Sequence, residues 1–332
     1  AQLAACAAKP PNARAMALAG GVEALAEVCA FDGEDSSRAT EGLVALAFVD
    51  DNARKSLVEA GALGPVVRQA ERATSDASAR QAADALRAFY EGGKATVDML
   101  VGLLLDREEH GQADLDDEAF ERDVKVKAEA ALGLAVVSAN EPHSDTTTNA
   151  RLVVECGALA PLVDKVLTLP LNHERGLRGV ERAAEVLSNL ALHVDDNRAA
   201  ILETPNAIAN LVAVIASRDA SDAARSHATS ALTNVALLGD DAKGRVVSAN
   251  AIPPIVHLAK WGSRNAQEKA NVALNILGID TVDDLKEKYH DSEDEHYHSL
   301  SNTVAARRRR RRHELQTESQ IAQETTITSP QE

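Results

Sequence analysis

Aromatic residues are scarce in this chain. Phe, Trp and Tyr together make up 2% of its 332 residues, whereas hydrophobic residues make up 45%. A core of that composition consists mainly of Ala, Leu and Val in close contact, which favours helices packed against helices. Proteins that bind single-stranded nucleic acid stack the bases on exposed aromatic rings, so the shortage also argues against that function.

Positive charge, cysteine and long apolar runs are in short supply as well. The net charge is −16, so the chain as a whole repels nucleic acid and anionic membranes. Cys6, Cys29 and Cys156 lie far apart in apolar stretches, and we interpret them as packing residues in a reducing compartment. Because the sequence shows neither a signal peptide nor an apolar run that could cross a bilayer, we expect a cytoplasmic protein, with the nucleus as an alternative location.

Catalytic motifs are missing too. The sequence has no Gly-rich phosphate loop and neither a Ser-x-x-Lys nor a His-Glu-x-x-His pattern. It therefore predicts no enzyme activity and no cofactor. Three histidines near the C-terminal end, His290, His296 and His298, lie among acidic residues and resemble a metal cluster. Tracts of this composition bind metals weakly without a defined site, so we expect no metal centre.

An internal repeat organises the first 280 residues. The tetrapeptide Val-Asp-Asp-Asn occurs at 49–52 and again at 194–197. Five similar segments occur along the chain, each after a short apolar stretch. We align them on Gly21, Gly61, Gly157, Asn206 and Asn250. The steps between these positions are 40, 96, 49 and 44 residues, and the step of 96 holds two units. The extra unit runs from about Lys94 and has no clear first helix. The pattern predicts six units of roughly 40–49 residues.

Each unit is predicted to contain three helices. In the second unit, Asp51 or Asn52 is a good N-cap for a short first helix, and Gly61 can take the left-handed conformation that ends it. Pro65 then falls in the first turn of a second helix, where its missing N–H is tolerated. The third helix carries apolar or small residues at i, i+3, i+4, i+7 and i+8 in all six units, beginning at Ala39, Ala82, Ala128, Ala183, Ala228 and Ala270. One apolar stripe per helix indicates a stack of third helices.

These features resemble the armadillo repeat family. The resemblance rests on the short first helix, the Gly-Ala-Leu-x-Pro punctuation, and third helices such as AAEVLSNLAL (183–192) and ATSALTNVALL (228–238). HEAT repeats are similar, but the Gly-punctuated first helix favours armadillo. The resemblance implies an all-α protein, a right-handed α-solenoid or armadillo-repeat superhelix, over residues 1–280. The first twelve residues are typical of the end of a third helix, so we expect the chain to begin inside a preceding repeat.

The resemblance also implies a concave groove lined by the third helices. Positions −1, +2 and +6 from the first stripe alanine share the side of the helix opposite the stripe. The candidate peptide-binding residues on these rows are Asn189, Asn234, Glu41, Asp84, Glu185, Ser230, Arg182 and His227. Asn189 and Asn234 match the asparagines with which importin-α clamps a peptide backbone. Two alternatives stay open: the asparagines are merely tolerated at exposed sites, or the charged rows form the pairs Arg38–Glu41 and Arg182–Glu185.

The function predicted from this resemblance is that of a monomeric, non-catalytic adaptor or scaffold. It would hold an extended peptide or a helical segment of a partner protein in the groove, with a basic segment as one possibility. An importin-α-like transport receptor is the first alternative, although no residue of the +2 row is Trp. The second is the substrate-binding region of a larger protein such as a U-box ubiquitin ligase. A myosin-chaperone-like role fits the fold without residue support.

Residues 281–332 differ in composition from the repeats. This segment is acidic at first and then Arg-rich, and it contains little that can form a core, so we expect a disordered tail. Its basic motif consists of Arg307, Arg308, Arg309, Arg310, Arg311 and Arg312. A localisation signal, a contact with nucleic acid or phosphoinositide, a contact with the acidic surface of the same chain and a plain solvated run are all open.

Three polar insertions and one tryptophan complete the sequence-based expectations. The stretches 106–123, 140–148 and 168–179 interrupt the period, and we expect them to form loops. Trp261 lies at the predicted end of a second helix, beside Gly262. It could either contact a partner or pack on the adjoining turn.

Overall fold

Helices follow one another at the spacing that the repeat predicts. The computed structural model describes residues 15, 21–29, 34–72, 86–89, 91–105, 117–139, 146–192 and 194–279. The first five helices are α1 (Gly21–Cys29), α2 (Glu34–Ala47), α3 (Asp51–Glu59), α4 (Leu63–Arg72) and α5 (Gly93–Leu105). Next come α6 (Asp117–Ser138), α7 (Thr146–Glu155), α8 (Leu159–Pro161), the π-helix π1 (Leu162–Val166) and α9 (Glu174–Leu192). The remainder are α10 (Asp195–Glu203), α11 (Ala207–Ala216), α12 (Asp222–Ala236), α13 (Asp240–Ser248), α14 (Ile252–Trp261) and α15 (Arg264–Ile276).

The third helices of successive units pack side by side. Helix α6 contacts α9, α9 contacts α12, and α12 contacts α15. The predicted stripe lies in these contacts, since Ala183, Val186, Leu187, Leu190 and Ala191 of α9 are all 0% exposed. The structure confirms an all-α, armadillo-like solenoid in the described part of the chain. The predicted tail at 281–332, including the arginine run and the three histidines, lies outside the described residues.

Left-handed residues end the first helices, as predicted at Gly61. Gly61 has φ 73°, and the equivalent Gly157, Asn206 and Asn250 have φ 80°, 62° and 62°. The last carbonyl groups of α3 accept hydrogen bonds from the N–H groups of this turn. Gly61 N, for example, donates to Val58 O at 2.9 Å. Asn occupies the position in the later units because its short polar side chain tolerates the left-handed region. Pro65 lies in the first turn of α4, which confirms the second prediction for this unit.

The predicted N-cap of α3 was wrong by one residue. Asp50 is the cap, and its Oδ1 accepts a hydrogen bond from Ala53 N at 2.9 Å. Asp51 is instead the first helical residue, and its carboxylate pairs with Arg54 at 2.5 Å. Likewise Asp195, the first residue of α10, pairs with Arg198 at 2.6 Å. The two copies of Val-Asp-Asp-Asn are therefore one residue out of structural register.

The structurally equivalent motif is Asp-x-x-Arg, at 51–54 and 195–198, and its arginine contacts the preceding third helix. Arg54 Nη1 donates to Ala47 O at 2.8 Å, at the end of the third helix α2. Arg198 Nε donates to Ala191 O at 2.6 Å, and its Nη2 donates to Leu192 O at 2.7 Å. The last carbonyls of a helix have no partner within the helix, so the Asp–Arg pair of each following first helix satisfies them. The motif joins one unit to the next.

The polar insertions are shorter than expected. Residues 117–123 belong to α6, residues 146–148 to α7 and residues 174–179 to α9, whereas 168–173 are irregular as predicted. Ion pairs four residues apart extend the helices, namely Arg122–Glu118 at 3.1 Å in α6 and Arg178–Glu174 in α9. The rest of the first two insertions lies outside the described residues. The third unit has α5 alone between 91 and 105, in line with its missing first helix.

No single helix in the described part of the chain is long and apolar enough to span a membrane. Helices α10 and α11, bent by 86° at the turn between them, pass the length and composition test only as a pair.

We predict that Arg198→Ala lowers the free energy of unfolding by about 1–2 kcal/mol, because it leaves the α9 carbonyls without their donor. Urea unfolding followed by circular dichroism measures the change. The matched control is Arg264→Ala, since that side chain is 94% exposed and pairs only with Glu268 among the described residues. The control should stay within about 0.5 kcal/mol of wild type. Equal effects of the two substitutions would contradict the capping role.

Candidate functional site

Helices α9 and α12 place Asn189 and Asn234 at equivalent positions on the stack. Both side chains are partly exposed. Asn189 Nδ2 donates to Ser138 Oγ at 3.4 Å, on the preceding third helix α6. The amide of Asn234 has no hydrogen bond to any described residue. Two amides one unit apart, one tethered at a single atom and one without a partner among the described residues, leave donors and acceptors open to a ligand.

The charged rows are partly neutralised within the protein. Arg182 Nη1 and Glu185 Oε2 lie 2.7 Å apart on α9, so the second predicted ion pair is confirmed. Glu185 therefore offers no isolated negative charge. Arg38 and Glu41 are both exposed on α2, and Asp84 lies outside the described residues.

His227 on α12 lies between the charges of its two neighbouring helices. Glu181, Arg182 and Glu185 face it from α9, and Lys269 faces it from α15. Burial lowers the pKa of His227 below its ordinary value, although the two carboxylates oppose the shift. Glu181 is also engaged elsewhere, because Ser221 Oγ donates to its Oε2 at 2.5 Å. The imidazole is therefore neutral at pH 7, and Ser230 beside it is a partly exposed neutral side chain.

The predicted +2 and +6 rows do not reach solvent on helix α6. Ala130 and Leu134 of α6 are both 0% exposed, and Ala88 is buried as well. Helix α6 contacts α3, α4, α5, α7, π1 and α9, so neighbours cover more of its surface than a single stripe predicts. Of the candidate residues, six come together: Arg182, Glu185, Asn189, His227, Ser230 and Asn234. We refer to these six as the polar surface.

The cysteines divide into two cases. Cys29 is buried and lies 3.3 Å from Thr40 Oγ1, which confirms its packing role, whereas Cys6 lies outside the described residues. Cys156 is partly exposed, but it packs against the hydrophobic core, which agrees with its interpretation as a packing residue. It lies 3.6 Å from Lys94 Nζ and near Asp98. Burial, and then the Asp98 carboxylate, raise the pKa of the Cys156 thiol, so it is protonated at neutral pH and a poor nucleophile.

Exposed apolar side chains were largely missed by the sequence reasoning. Trp261, the last residue of α14, is 74% exposed, which decides against packing on its own turn. Phe48, Leu192, Leu237 and Leu238 are exposed just where third helices end. Periodicity could not single them out, because a leucine at a helix end looks like a continuation of the stripe. No group of three or more metal-binding side chains occurs among the described residues.

Solved structures of designed armadillo repeat proteins are similar to this chain. One is 22% identical with a TM-score of 0.46, over 77% of this chain and all of that one. A second, computationally designed for modular peptide recognition, is 23% identical with a TM-score of 0.45, over 77% and 99% of the two chains. A third was solved in complex with the peptide (KR)4 and is 22% identical with a TM-score of 0.43, over 77% and 99%. The armadillo-like repeat fold of the described residues rests on the order of their helices and on the stacking of the third helices. No family model and no curated protein matches it.

We predict that His227 makes the stability of the armadillo-like solenoid depend on pH. Since its folded pKa is lowered, the unfolded chain binds more protons there, and the stability gained from the neutral imidazole is present above pH 6.5 and lost below it. Between about pH 7.5 and about pH 5.5, wild type should lose more free energy of unfolding than His227→Gln. Urea unfolding at both pH values measures the difference. Parallel losses in the two proteins would show that His227 contributes nothing.

Proposed function

We propose that this protein is a non-catalytic scaffold that binds an extended peptide or a helical segment of a partner protein along the polar surface. The observation that carries the proposal is the pair of partly exposed amides, Asn189 and Asn234, at equivalent positions on adjacent helices. An extended peptide has backbone N–H and C=O groups with no partner of their own. A side-chain amide supplies one donor group and one acceptor to match them.

The spacing of the helices suits an extended ligand. Packed helices lie about 8–10 Å apart, and an extended chain rises about 3.3 Å per residue. Asn189 and Asn234 would therefore contact the ligand backbone about three residues apart. His227 and Ser230 are both neutral and lie on the same helix as Asn234. They would form an uncharged part of the surface that the ligand contacts, with charged side chains on either side.

The class of ligand that charge favours is a basic segment. The chain carries a net charge of −16, which attracts cationic ligands and slows the approach of acidic ones. The same charge keeps copies of the chain apart and supports a monomer. We place the protein in the cytoplasm and the nucleus, where the thiols of Cys29 and Cys156 remain reduced.

Two alternatives differ in what they require of the surface. An importin-α-like receptor holds lysine stems between tryptophans of the +2 row, but the described residues of that row are Glu41, Ala130, Glu185, Ser230 and Val272. A U-box ligase would use the same polar surface for its substrate, with its catalytic domain on another part of a longer protein. The transport alternative is open to a direct test.

We predict that a Lys-rich nuclear-signal peptide binds the full chain no more tightly than a scrambled peptide of the same composition. The net charge attracts both peptides, but without tryptophans on the +2 row there is no cation–π contact to hold particular lysines. Fluorescence anisotropy with the two labelled peptides measures this. At least tenfold tighter binding of the nuclear-signal peptide would favour the transport receptor instead.

We predict that the pair Asn189→Ala and Asn234→Ala removes a specific set of partners from a quantitative pull-down with the full chain. Each lost hydrogen bond costs about 1 kcal/mol, or about fivefold in affinity. The matched control is the pair Asn271→Ala and Asn275→Ala, the same chemical change at exposed positions on α15 outside the polar surface. Identical partner sets for the two variants would contradict the proposal.

The arginine run Arg307–Arg312 is proposed to compete with basic ligands for acidic parts of the same chain. Tethering raises its effective concentration, so even a weak contact would count. We predict that replacing all six arginines by glutamine tightens binding of the captured partner segment at low salt and has no effect at high salt. Titration at about 50 mM and about 500 mM salt measures this. Unchanged affinity in both would show that the run is not a competitor.

A further inference from the structure

A row of exposed leucines lies where two third helices end. Leu192, the last residue of α9, is 38% exposed, and Leu237, which follows α12, is 51% exposed beside the exposed Leu238. Leu192 and Leu237 are 45 residues apart, one repeat unit. Their side chains project outside the helix contacts and do not contribute to the core. Phe48 holds the equivalent position after α2, the third helix of the first unit, and it is exposed as well.

Aspartate pairs follow the leucines in the same register. Asp195 and Asp196 begin α10, and Asp240 and Asp241 begin α13, again 45 residues apart. Asp195 pairs with Arg198 at 2.6 Å, and Asp240 has only the distant Lys243 at 3.9 Å. Asp196 and Asp241 are exposed and form no ion pair with a described residue. Asp196 follows Leu192 by four residues, and Asp241 follows Leu237 by four, so each pair lies within about 14 Å along the chain.

We call Leu192, Leu237, Leu238, Asp196 and Asp241 the apolar–acidic rim. It adjoins the polar surface, because Leu192 follows Asn189 by three residues and Leu237 follows Asn234 by three, about one turn of helix in each case. The aspartates carry the negative charge of the rim, because Arg198 already donates to the last carbonyls of α9. A ligand for this rim therefore needs apolar side chains for the leucines and cations beside them.

The spacing of the rim fits a helix. Adjacent packed helices are about 8–10 Å apart, and seven residues of an α-helix rise about 10.5 Å. Apolar side chains at i and i+7 of a helix laid across the ends of α9 and α12 would meet Leu192 and Leu237 in turn. Residues at i+3 and i+4 on the same face would lie between them, above the first turn of α10. Lys or Arg flanking this face would lie over Asp196 and Asp241.

We propose that the apolar–acidic rim docks a basic amphipathic helix of a partner protein. The exposed leucines supply the contact area, and the unpaired aspartates select basic helices and set their register. The rim extends the polar surface by one helical turn, so this inference rests on the proposed function and assigns a helical ligand to the apolar edge of that surface. The Arg307–Arg312 run matches the charge but has few apolar residues to cover the leucines.

The test uses a synthetic Leu–Lys peptide of about five turns, with leucines at i, i+4, i+7 and i+11 and lysines flanking them. The control peptide has the same composition with the leucines scattered around the helix. We expect saturable binding of the first peptide to the full chain by fluorescence anisotropy and at least tenfold weaker binding of the second. Equal affinities would show that the protein recognises only the charge of the peptide, and would overturn the proposal.

Variants of the full chain locate the contact. We expect Leu192→Gln with Leu237→Gln to weaken binding at least tenfold, and Asp196→Asn with Asp241→Asn to weaken it mainly at low salt. The matched control Val247→Gln, an exposed valine on α13 away from the rim, should bind like wild type. Binding within twofold of wild type by the leucine variant would overturn the proposal.

Two further variants separate this proposal from its neighbours. The pair Asn189→Ala and Asn234→Ala should weaken binding of the Leu–Lys peptide by no more than about threefold, whatever the outcome of the pull-down, because the leucines make the main contact. If the asparagine pair weakens binding as much as Leu192→Gln with Leu237→Gln does, the amides hold the peptide and the rim proposal is wrong. Replacing the six arginines by glutamine should leave the affinity for the Leu–Lys peptide unchanged. A tenfold gain would assign the rim to the chain's own Arg307–Arg312 run and overturn the assignment to a partner.

Discussion

Contact between neighbouring third helices is the interaction on which the rest of this protein depends. The stripe residues are alanines, leucines and valines, and on α9 all five are fully buried between α6 and α12. Small side chains let the helices approach closely, so few aromatic residues are needed to fill the core. No unit can bury its stripe alone, and stability therefore accumulates through neighbours. Arg54 and Arg198 reinforce the joints by closing the carbonyl ends of the preceding helices.

The same arrangement decides which surfaces remain open. A helix packed on both sides still exposes the flank opposite its stripe, where Asn189 and Asn234 lie, and it exposes its C-terminal end, where Leu192 and Leu237 lie. Side chains in such places add little to the core, since the neighbouring helices do not reach them. Both open surfaces repeat with the period of the units, which suits ligands that are themselves regular, an extended strand on the flank and a helix across the ends.

Much of the fold was predictable because its signals are local. Gly61 marks the end of a first helix through its left-handed backbone, and Pro65 marks the start of a second through its fixed φ. The stripe of α9 is readable because apolar spacing at 3.6 residues describes one helix regardless of its neighbours. The N-cap at Asp50 was misplaced by one residue, because three successive polar residues, Asp50, Asp51 and Asn52, all suit a helix start. Insertions looked like loops because ion pairs such as Arg122–Glu118 stabilise helix without any apolar signal.

The sequence by itself determined the repeat, the number of helices per unit and the candidate amides at 189 and 234, since each follows from periodicity along one segment. Only the tertiary structure decided that Ala130 and Leu134 are buried, that Arg182 neutralises Glu185, and that Leu237 and Trp261 are exposed. These properties depend on which other elements surround a side chain. Distant segments supply those neighbours, and no local pattern records how many of them reach a given helix face.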